Sequence, residues 1–395
     1  MKRVVYRTVL LLLLLLPGLS GCGLRKAGNR DYTLESTEAV TLPFPGNAVE
    51  TSNLLKEKCT VWKSNYSQEK AELYEQAIAN GEWETEPYTF YSVWDCAANK
   101  NGAYYVREWD ELMAQNPYAY QIYRHNEEKE DDSLLYEAPE VYLLNEFYAN
   151  DSCLYWVEYK FDPDEYWVMQ YDLATDEAKC LAVRPSGEWY EICLSVNNNY
   201  VTWYDHNKDG SVNIAVYNVQ DQELEVIQDE SIIKYMPYER LPVIDGGITY
   251  FTGDKEDRIF VNRYQLDTRI CTRLLLGNKS VWPKLAGCFS DSAFLGWYTD
   301  YSTGTYYFYN MENGELWCLE SSKDLRIFSE CLLDGKFCFY NSANEKIYTY
   351  DLTTQDAMYQ VLPDTGLLTP CDDELYIKAL GGNGYTIYNI QYTAK

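Results

Sequence analysis

The sequence predicts an all-β protein, a β-propeller with seven blades favoured and six as the alternative. Two observations carry this prediction. A pattern of strands and polar turns recurs every 38 to 48 residues along the chain. The strands are also apolar and aromatic on both faces, as in the stretch 166–171. A sheet with one wet face would alternate, whereas a blade packed between two neighbours buries both faces.

Seven tyrosines mark the repeat, and each ends a strand that leads into a polar turn and another apolar strand. They are Tyr123, Tyr171, Tyr217, Tyr264, Tyr309, Tyr350 and Tyr388. A repeat of about 40–50 residues that holds several strands is typical of a propeller blade. The copy around Tyr123 is the weakest, and six blades is the alternative if that copy is an irregular N-terminal piece.

A second strand precedes each of the last six tyrosines, and a turn rich in Asp, Asn, Gly and Lys separates the two. The second strands are predicted at 153–159, 200–204, 248–252, 293–299, 336–340 and 374–380. Strands rich in Tyr, Trp, Val and Ile around such turns are hairpin signals. Each repeat therefore contains at least one hairpin.

The last repeat is too short for a complete blade, because the chain stops seven residues after Tyr388. We therefore expect a strand from the N-terminal region to complete it and close the ring. Our candidate is the segment 38–44, in which Pro43 is acceptable because proline is tolerated at a sheet edge.

The domain boundaries follow from these patterns. We expect the propeller over 101–395 and an N-terminal segment over 38–100 that holds one helix and the ring-closing strand. The helix is predicted at 67–80, between a capping serine and a glycine, and a second short helix at 106–116.

The first residues read as a secretion signal rather than as part of the fold. Lys2, Arg3 and Arg7 precede an apolar run over 9–16, which is too short to span a bilayer as a permanent helix. The following Leu-Ser-Gly-Cys at 19–22 resembles the lipobox of bacterial lipoproteins. That resemblance implies a signal peptide over 1–21, cleavage before Cys22 and a lipid on the Cys22 sulfur.

Several acyl chains on one residue anchor a protein stably. The expected location is therefore extracytoplasmic, with the chain anchored to the bacterial cell membrane through the lipid on Cys22. Residues 22–37 are expected to form the lipidated tether.

The charge balance bears on the partners. The chain carries 33 Lys and Arg against 61 Asp and Glu, a net charge of −28. Such a surface repels phosphates, so no nucleic acid partner is expected. Divalent cations or basic protein surfaces fit it better, although solubility alone is the simpler explanation.

Cysteines are numerous but do not suggest a disulfide framework. There are 12, and lipidation of Cys22 would leave 11, an odd number in a domain large enough to do without disulfides. We expect mostly free, buried thiols.

The segment 205–213 resembles the start of a calcium loop of the EF-hand or dockerin type. Oxygen ligands would come from Asp205, Asn207 and Asp209, and Gly210 would allow the sharp turn. The twelfth position is Val216 instead of the bidentate glutamate. The same residues are good turn formers without any metal, and the segment lies at a hairpin turn of the repeat. The turn is favoured, and calcium is the only cofactor considered; otherwise none is expected.

No catalytic signature is recognisable. There are two histidines, His125 and His206, both in predicted polar turns, and there is no Gly-x-Ser-x-Gly elbow or phosphate-binding glycine motif. The acids Glu158, Asp162, Asp164 and Glu165 are interpreted as a solvated turn. An enzyme is therefore the less favoured interpretation, and no catalytic residue is assigned.

The repeat resembles the TolB-like propellers of bacterial envelopes over about 100–395, most clearly in the Tyr-Asp-Leu at 171–173 and 350–352. The resemblance implies a rigid ring with loops on two faces that serves as a docking surface. We expect a protein-binding or scaffold module whose partner is another envelope protein. A glycan- or peptide-acting enzyme, or a sensor of a small ligand or cation at the propeller mouth, are the alternatives.

Overall fold

The fold was analysed in a computed structural model. It describes residues 28–33, 38–43, 48–62, 93–108, 120–125, 132–138, 143–161, 164–185, 192–207, 211–229, 231–233, 239–299, 304–320, 322, 324–362, 365–371, 374–381 and 384–391. The predicted helix at 67–80 and the signal at 1–21 lie outside these residues, as does Cys22.

Seven sheets follow one another along the chain, each with three or four consecutive antiparallel strands, and each is one blade of a propeller. The predicted class, all-β with seven blades, is confirmed. Four N-terminal strands come first: β1 Gly28–Thr33, β2 Val40–Thr41, β3 Val49–Glu50 and β4 Leu55–Trp62. Blades 1 to 3 consist of β5 Val93–Asn99, β6 Gly102–Glu108, β7 Tyr120–His125, β8 Ser133–Glu137; β9 Leu143–Ala149, β10 Cys153–Phe161, β11 Asp164–Asp172, β12 Glu177–Pro185; and β13 Ser195–Val196, β14 Tyr200–His206, β15 Val212–Asn218, β16 Glu223–Ile227.

The remaining blades have the same order of strands. Blades 4 and 5 consist of β17 Ile232–Ile233, β18 Gly247–Gly253, β19 Arg258–Gln265, β20 Ile270–Asn278; and β21 Leu285–Ser290, β22 Phe294–Thr299, β23 Thr305–Asn310, β24 Leu316–Glu320. Blades 6 and 7 consist of β25 Ile327–Leu333, β26 Lys336–Asn341, β27 Lys346–Asp351, β28 Ala357–Val361; and β29 Thr365–Cys371, β30 Glu374–Gly381, β31 Gly384–Ile390. A six-residue 3₁₀ helix, Lys279–Lys284, joins blades 4 and 5.

Each of the seven repeat tyrosines lies in the third strand of its blade, from Tyr123 in β7 to Tyr388 in β31. The predicted hairpins are the second and third strands. The first blade begins at Val93, earlier than the expected boundary at 101. The helix expected at 106–116 is wrong at its start, because Val106 lies inside β6 and pairs with Ile122; the stretch 109–116 lies outside the described residues.

Both faces of a blade are buried, as the sequence indicated. In β10, Tyr155 packs into the core between blades 2 and 3, whereas Trp156 packs into the core between blades 1 and 2. Neighbouring residues of a strand point to opposite faces, so one aromatic strand supplies two cores. Both side chains are completely buried.

The N-terminal strands form a strap around half of the ring. β1, β2 and β3 pair in parallel with the outermost strands of blades 4, 5 and 6 in turn, and β4 pairs antiparallel with β31 of blade 7. The chain thus advances by one blade at each strand and then supplies the missing fourth strand of blade 7.

The ring is closed from the N-terminal region, as expected, but by β4 and not by the segment 38–44. Of this segment the structure describes residues 38–43, and there Val40 and Thr41 form a strand that pairs with β24. Pro43 has no backbone N–H to continue such a ladder, whereas β4 is eight residues long and pairs with β31 from Leu55 to Trp62 with one register shift. The stretch 22–37, expected to be a lipidated tether, overlaps the fold, because β1 already begins at Gly28. Edge pairing uses the backbone, so β1 needs no apolar periodicity.

A set of Asx side chains ties neighbouring blades together at the turns between first and second strands. Asn99 donates to the carbonyl of Asn150 (2.6 Å), Asn150 to that of Asn197 (3.1 Å) and Asn197 to that of Val243 (3.4 Å). Each of these side chains also accepts a backbone N–H of its own turn, for example that of Ser152 by Asn150 (2.9 Å). One residue therefore shapes a turn and positions the next blade.

Nine cysteines fall within the described side chains, and all nine are thiols outside any disulfide. Seven are buried, Cys288 is half-buried and Cys180 is exposed. The expectation of mostly free, buried thiols is confirmed for these nine. No helix of the described part of the chain is long and apolar enough to cross a membrane.

Candidate functional site in the central channel

The first strands of the blades line a central channel that contains a cavity of about 560 Å³. Blades 2 to 7 all contribute to its wall, because each turns its first strand toward the axis. In blade 4 the described first strand is short: β17 is two residues long, and further along the chain Ile244 forms a bridge to Gly247. Glu239 and Arg240 lie between these points and enter the cavity wall.

Most of the wall is apolar. Its apolar and aromatic members include Leu194, Val196, Ile244, Phe289, Phe328, Leu332, Leu367 and Leu368. Phe328 and Leu367 lie near the starts of β25 and β29, and they remain 48% and 41% exposed. We call this end of the channel the mouth. A concave apolar wall of this volume with a few polar groups is the usual form of a ligand site.

One basic side chain of the wall is already paired. Arg240 binds the carboxylate of Glu146 in β9 at 2.8 Å, across the width of blade 3. Tyr148 donates to the same carboxylate at 2.6 Å. Burial raises the pKa of Tyr148 well above its usual value, so its hydroxyl stays a neutral donor.

Two acids, Glu239 and Glu330, also lie in the wall. Tyr204 donates to Glu239 at 3.3 Å. Desolvation in the half-buried channel wall raises the pKa of Glu330 to about 7, and a hydrogen bond from Tyr298 opposes that rise. No ion pair of the described residues involves Glu330.

Gly287 makes room for the Tyr298 side chain. A Cβ at this position of β21 would lie 2.5 Å from the Tyr298 hydroxyl. The Tyr298 hydroxyl donates a hydrogen bond to Glu330. The absence of a side chain at Gly287 therefore allows this hydroxyl to lie inside an otherwise apolar wall.

A second ion pair, which is half-buried, lies beside the channel. Lys378 of blade 7 binds Asp95 of β5 at 3.1 Å and the carbonyl of Phe147 at 2.9 Å. Its ammonium group also lies over the Tyr148 ring, 4.8 Å from the ring centre. Desolvation raises the pKa of Asp95 despite the lysine. This cluster joins blades 7, 1 and 2 where the ring closes.

The described residues of the cavity wall include two cysteines and no histidine. Its two cysteines, Cys288 and Cys331, have pKa values raised well above the usual value by burial, so neither offers a thiolate. Neither histidine belongs to the described wall; His125 instead lies 3.1 Å from Asp132 in blade 1. The described wall thus combines an apolar surface with three charged side chains, Glu239, Arg240 and Glu330.

Of the residues predicted to supply calcium ligands, the structure describes Asp205 and Asn207. The carboxylate of Asp205 is buried and pairs with Arg184, and Asn207 donates to the Ser211 hydroxyl at 2.8 Å. Asp209 and Gly210 lie outside the described residues. Among the described residues no group of three or more His, Cys, Asp or Glu is arranged to hold a metal ion. Calcium binding by this loop stays a prediction.

Glu158, interpreted from the sequence as part of a solvated turn, lies in the core instead. Its side chain accepts hydrogen bonds from Tyr120, from Tyr136 (3.1 Å) and from Trp156 (3.2 Å). Glu158 lies within the strand predicted at 153–159, and it shares a face of β10 with Trp156, which packs between blades 1 and 2.

Comparison with known proteins shows the fold and leaves the family open. No protein-family model matches the sequence, and no curated protein matches it. The propeller domain of the trilobed protease from Pyrococcus furiosus superposes with a TM-score of 0.51 at 11% identity, over 78% of this chain and 95% of that one. A structure from an analysis of two prolyl endopeptidases gives a TM-score of 0.50 at 9% identity, over 83% of this chain and 56% of that one.

TolB from Acinetobacter baumannii is also similar, with a TM-score of 0.34 and 10% identity over 70% of this chain and 61% of TolB. At these identities the likeness concerns the fold alone. The protein thus belongs to the class of seven-bladed β-propellers. The Pyrococcus furiosus domain is described as having an open velcro topology, whereas here β4 closes blade 7.

Proposed function

We propose that the protein is a lipid-anchored, extracytoplasmic binding module that docks another protein of the bacterial cell envelope at the mouth of its channel. The observation that supports this most is the cavity itself. It opens beside exposed apolar side chains, and its described wall holds no activated nucleophile. A rigid ring with such a recess is suited to docking.

In this proposal the protein is attached to the membrane through a lipid on Cys22. The lipobox-like residues at 19–22 support this part of the proposal. Mass spectrometry of the mature N-terminal peptide from native membranes should find a diacylglyceryl group on Cys22 and no residue before it. A Cys22→Ser variant should leave the membrane fraction, and an unmodified Cys22 in membranes would contradict the anchor.

The protein partner is tested by chemical crosslinking in intact native membranes, followed by mass spectrometry of what is attached. We expect one envelope protein in near-stoichiometric amount. Recovery of wall glycan alone, or of no partner, would contradict docking and favour the alternative of an enzyme or sensor. Unlipidated Cys22→Ser is the control for contacts that result from membrane confinement.

A further inference from the structure

The charge of the channel is unbalanced toward acid. Its described wall contains Glu239, Glu330 and Arg240 as charged residues, and Arg240 is engaged by Glu146. Burying a carboxylate without a cation is costly. A positive group delivered from outside would offset that cost at Glu330.

The surroundings of Glu330 specify more than charge. Phe289 and Tyr298 lie in the same wall, and Phe328 and Leu367 lie exposed at the mouth. Aromatic faces and apolar side chains accept the aliphatic stem of a basic residue, and aromatic rings also attract its cationic head. A small inorganic cation would gain nothing from these walls.

We propose that the channel receives a lysine or arginine of the partner protein, flanked by apolar residues, whose cationic head binds Glu330. This inference rests on the proposed docking function and names the chemistry of the partner. The net charge of −28 supports it, because a strongly acidic protein attracts basic segments.

The test is isothermal titration of detergent-solubilised full-length protein with three acetylated, amidated peptides: Leu-Lys-Phe, Leu-norleucine-Phe and Leu-Glu-Phe. Norleucine keeps the aliphatic stem and lacks the charge. We expect the lysine peptide to bind at least about tenfold more tightly than the norleucine peptide, as for a charge-assisted contact, and the glutamate peptide to bind most weakly. Equal affinities, or no binding by any peptide, would overturn the inference.

The matched variants are Glu330→Gln and, on the exposed outer strand of blade 3, Glu223→Gln. The channel variant should lose about tenfold of the lysine-peptide affinity and little of the norleucine-peptide affinity; the outer variant should change neither. Loss of lysine preference in both variants, or in neither, contradicts the role of Glu330. Circular dichroism of both variants verifies that the fold is kept.

Crosslinking separates this inference from the proposed function. If wild type yields a partner protein and Glu330→Gln yields the same amount, docking holds and insertion of a basic residue fails. If wild type yields no partner, the docking proposal itself fails.

Discussion

At the scale of single residues, Glu158 shows how this fold accommodates a buried acid. Its side chain is 1% exposed and takes hydrogen bonds from two tyrosines and a tryptophan of blades 1 and 2. Burial and the neighbouring carboxylate raise the pKa of Tyr120 well above its usual value, so Tyr120 remains a donor. The network is a structural joint between two blades.

Removal of the Glu158 carboxylate should therefore destabilise the folded protein. Glu158→Ala leaves the hydroxyls of Tyr120 and Tyr136 without this acceptor, whereas the Trp156 indole can still donate to Tyr120 at 2.7 Å. We expect the change to lower the free energy of unfolding by about 2–4 kcal/mol. Urea denaturation measures the change. The control is Glu177→Ala on an exposed stretch of β12, which should stay within about 0.5 kcal/mol of wild type. Equal effects of the two variants would contradict the joint.

The ionised carboxylate of Glu330, in contrast to that of Glu158, should destabilise the folded protein. Its pKa in the folded protein is about 7, against an ordinary value of 4.5. The folded state therefore holds its proton over a pH range in which the unfolded state has lost it. Stability falls as pH rises from about 4.5 to 7, and the full cost is present above 7.

Glu330→Gln removes that cost. After allowance for water in the channel, we expect the variant to be more stable than wild type by about 1–2 kcal/mol at pH 8 and equal to it near pH 4.5. Denaturation at the two pH values tests this. Glu223→Gln should show no such pH dependence. A difference that persists at pH 4.5 would mean that the effect is not due to titration of Glu330.

At the scale of elements, the strap of β1 to β4 covers sheet edges that would otherwise offer unpaired backbone groups to other chains. Side chains add to the backbone pairing. Arg273 of β20 binds both oxygens of Asp31 at 2.7 and 2.9 Å, and Tyr32 packs edge-on against Tyr309. Leu42, just after β2, is 3% exposed and joins the core of blades 5 and 6.

Leu42 should be the side chain on which attachment of the strap to blade 5 depends. We expect Leu42→Ala to lower the free energy of unfolding by about 2–3 kcal/mol, the cost of a cavity in a packed core. Val40→Ala, at a site that is 59% exposed on the same strap, is the matched control and should change little. If both changes are neutral, the strap does not contribute to the stability of the ring.

The sequence predicted the second and third strands of the blades because a polar turn joins them and aromatic residues mark both. It did not locate the first strands. β13 and β17 are two residues long, and β29 contains glycine and proline. Because the first strands line the channel, Arg240 and Glu330 were missed as site residues. The one signal available was an acid inside the apolar stretch 327–333.

The closing strand was misplaced for a related reason. Edge strands are held by backbone pairing, so they carry little periodicity in the sequence. Each successive strand of the strap pairs with the next blade. The fourth strand, β4, is therefore the one that reaches blade 7. That property of the ring is not readable from any single segment.

At the scale of the whole molecule, the strap determines how the ring would sit on a membrane. Lipidation at Cys22 leaves six peptide units before Gly28, which pairs with Ile270 at the outer edge of blade 4. Six residues reach at most about 20 Å. A lipidated protein would therefore hold the rim of blade 4 close to the bilayer.

Energy transfer to a lipid-bound acceptor measures this arrangement in vesicles. In a Cys22-lipidated Cys180→Ser background, a label at Thr268→Cys beside Ile270 should transfer more efficiently than one at Ser133→Cys on the outer strand of blade 1. The unlipidated protein should show no energy transfer from either labelled site. Equal energy transfer from the two sites would indicate that the ring has no fixed orientation relative to the bilayer, and would contradict the placement of blade 4 close to it.

Docking at the channel mouth is the central claim, and site-specific photocrosslinking in native membranes tests it most directly. The photoreactive amino acid p-benzoylphenylalanine replaces Phe328 at the mouth or, as the control, the exposed Val183 on the outer strand of blade 2. The account predicts one envelope protein attached at position 328 and little at 183. Attachment at 183 alone, equally at both positions, or at neither, would contradict it.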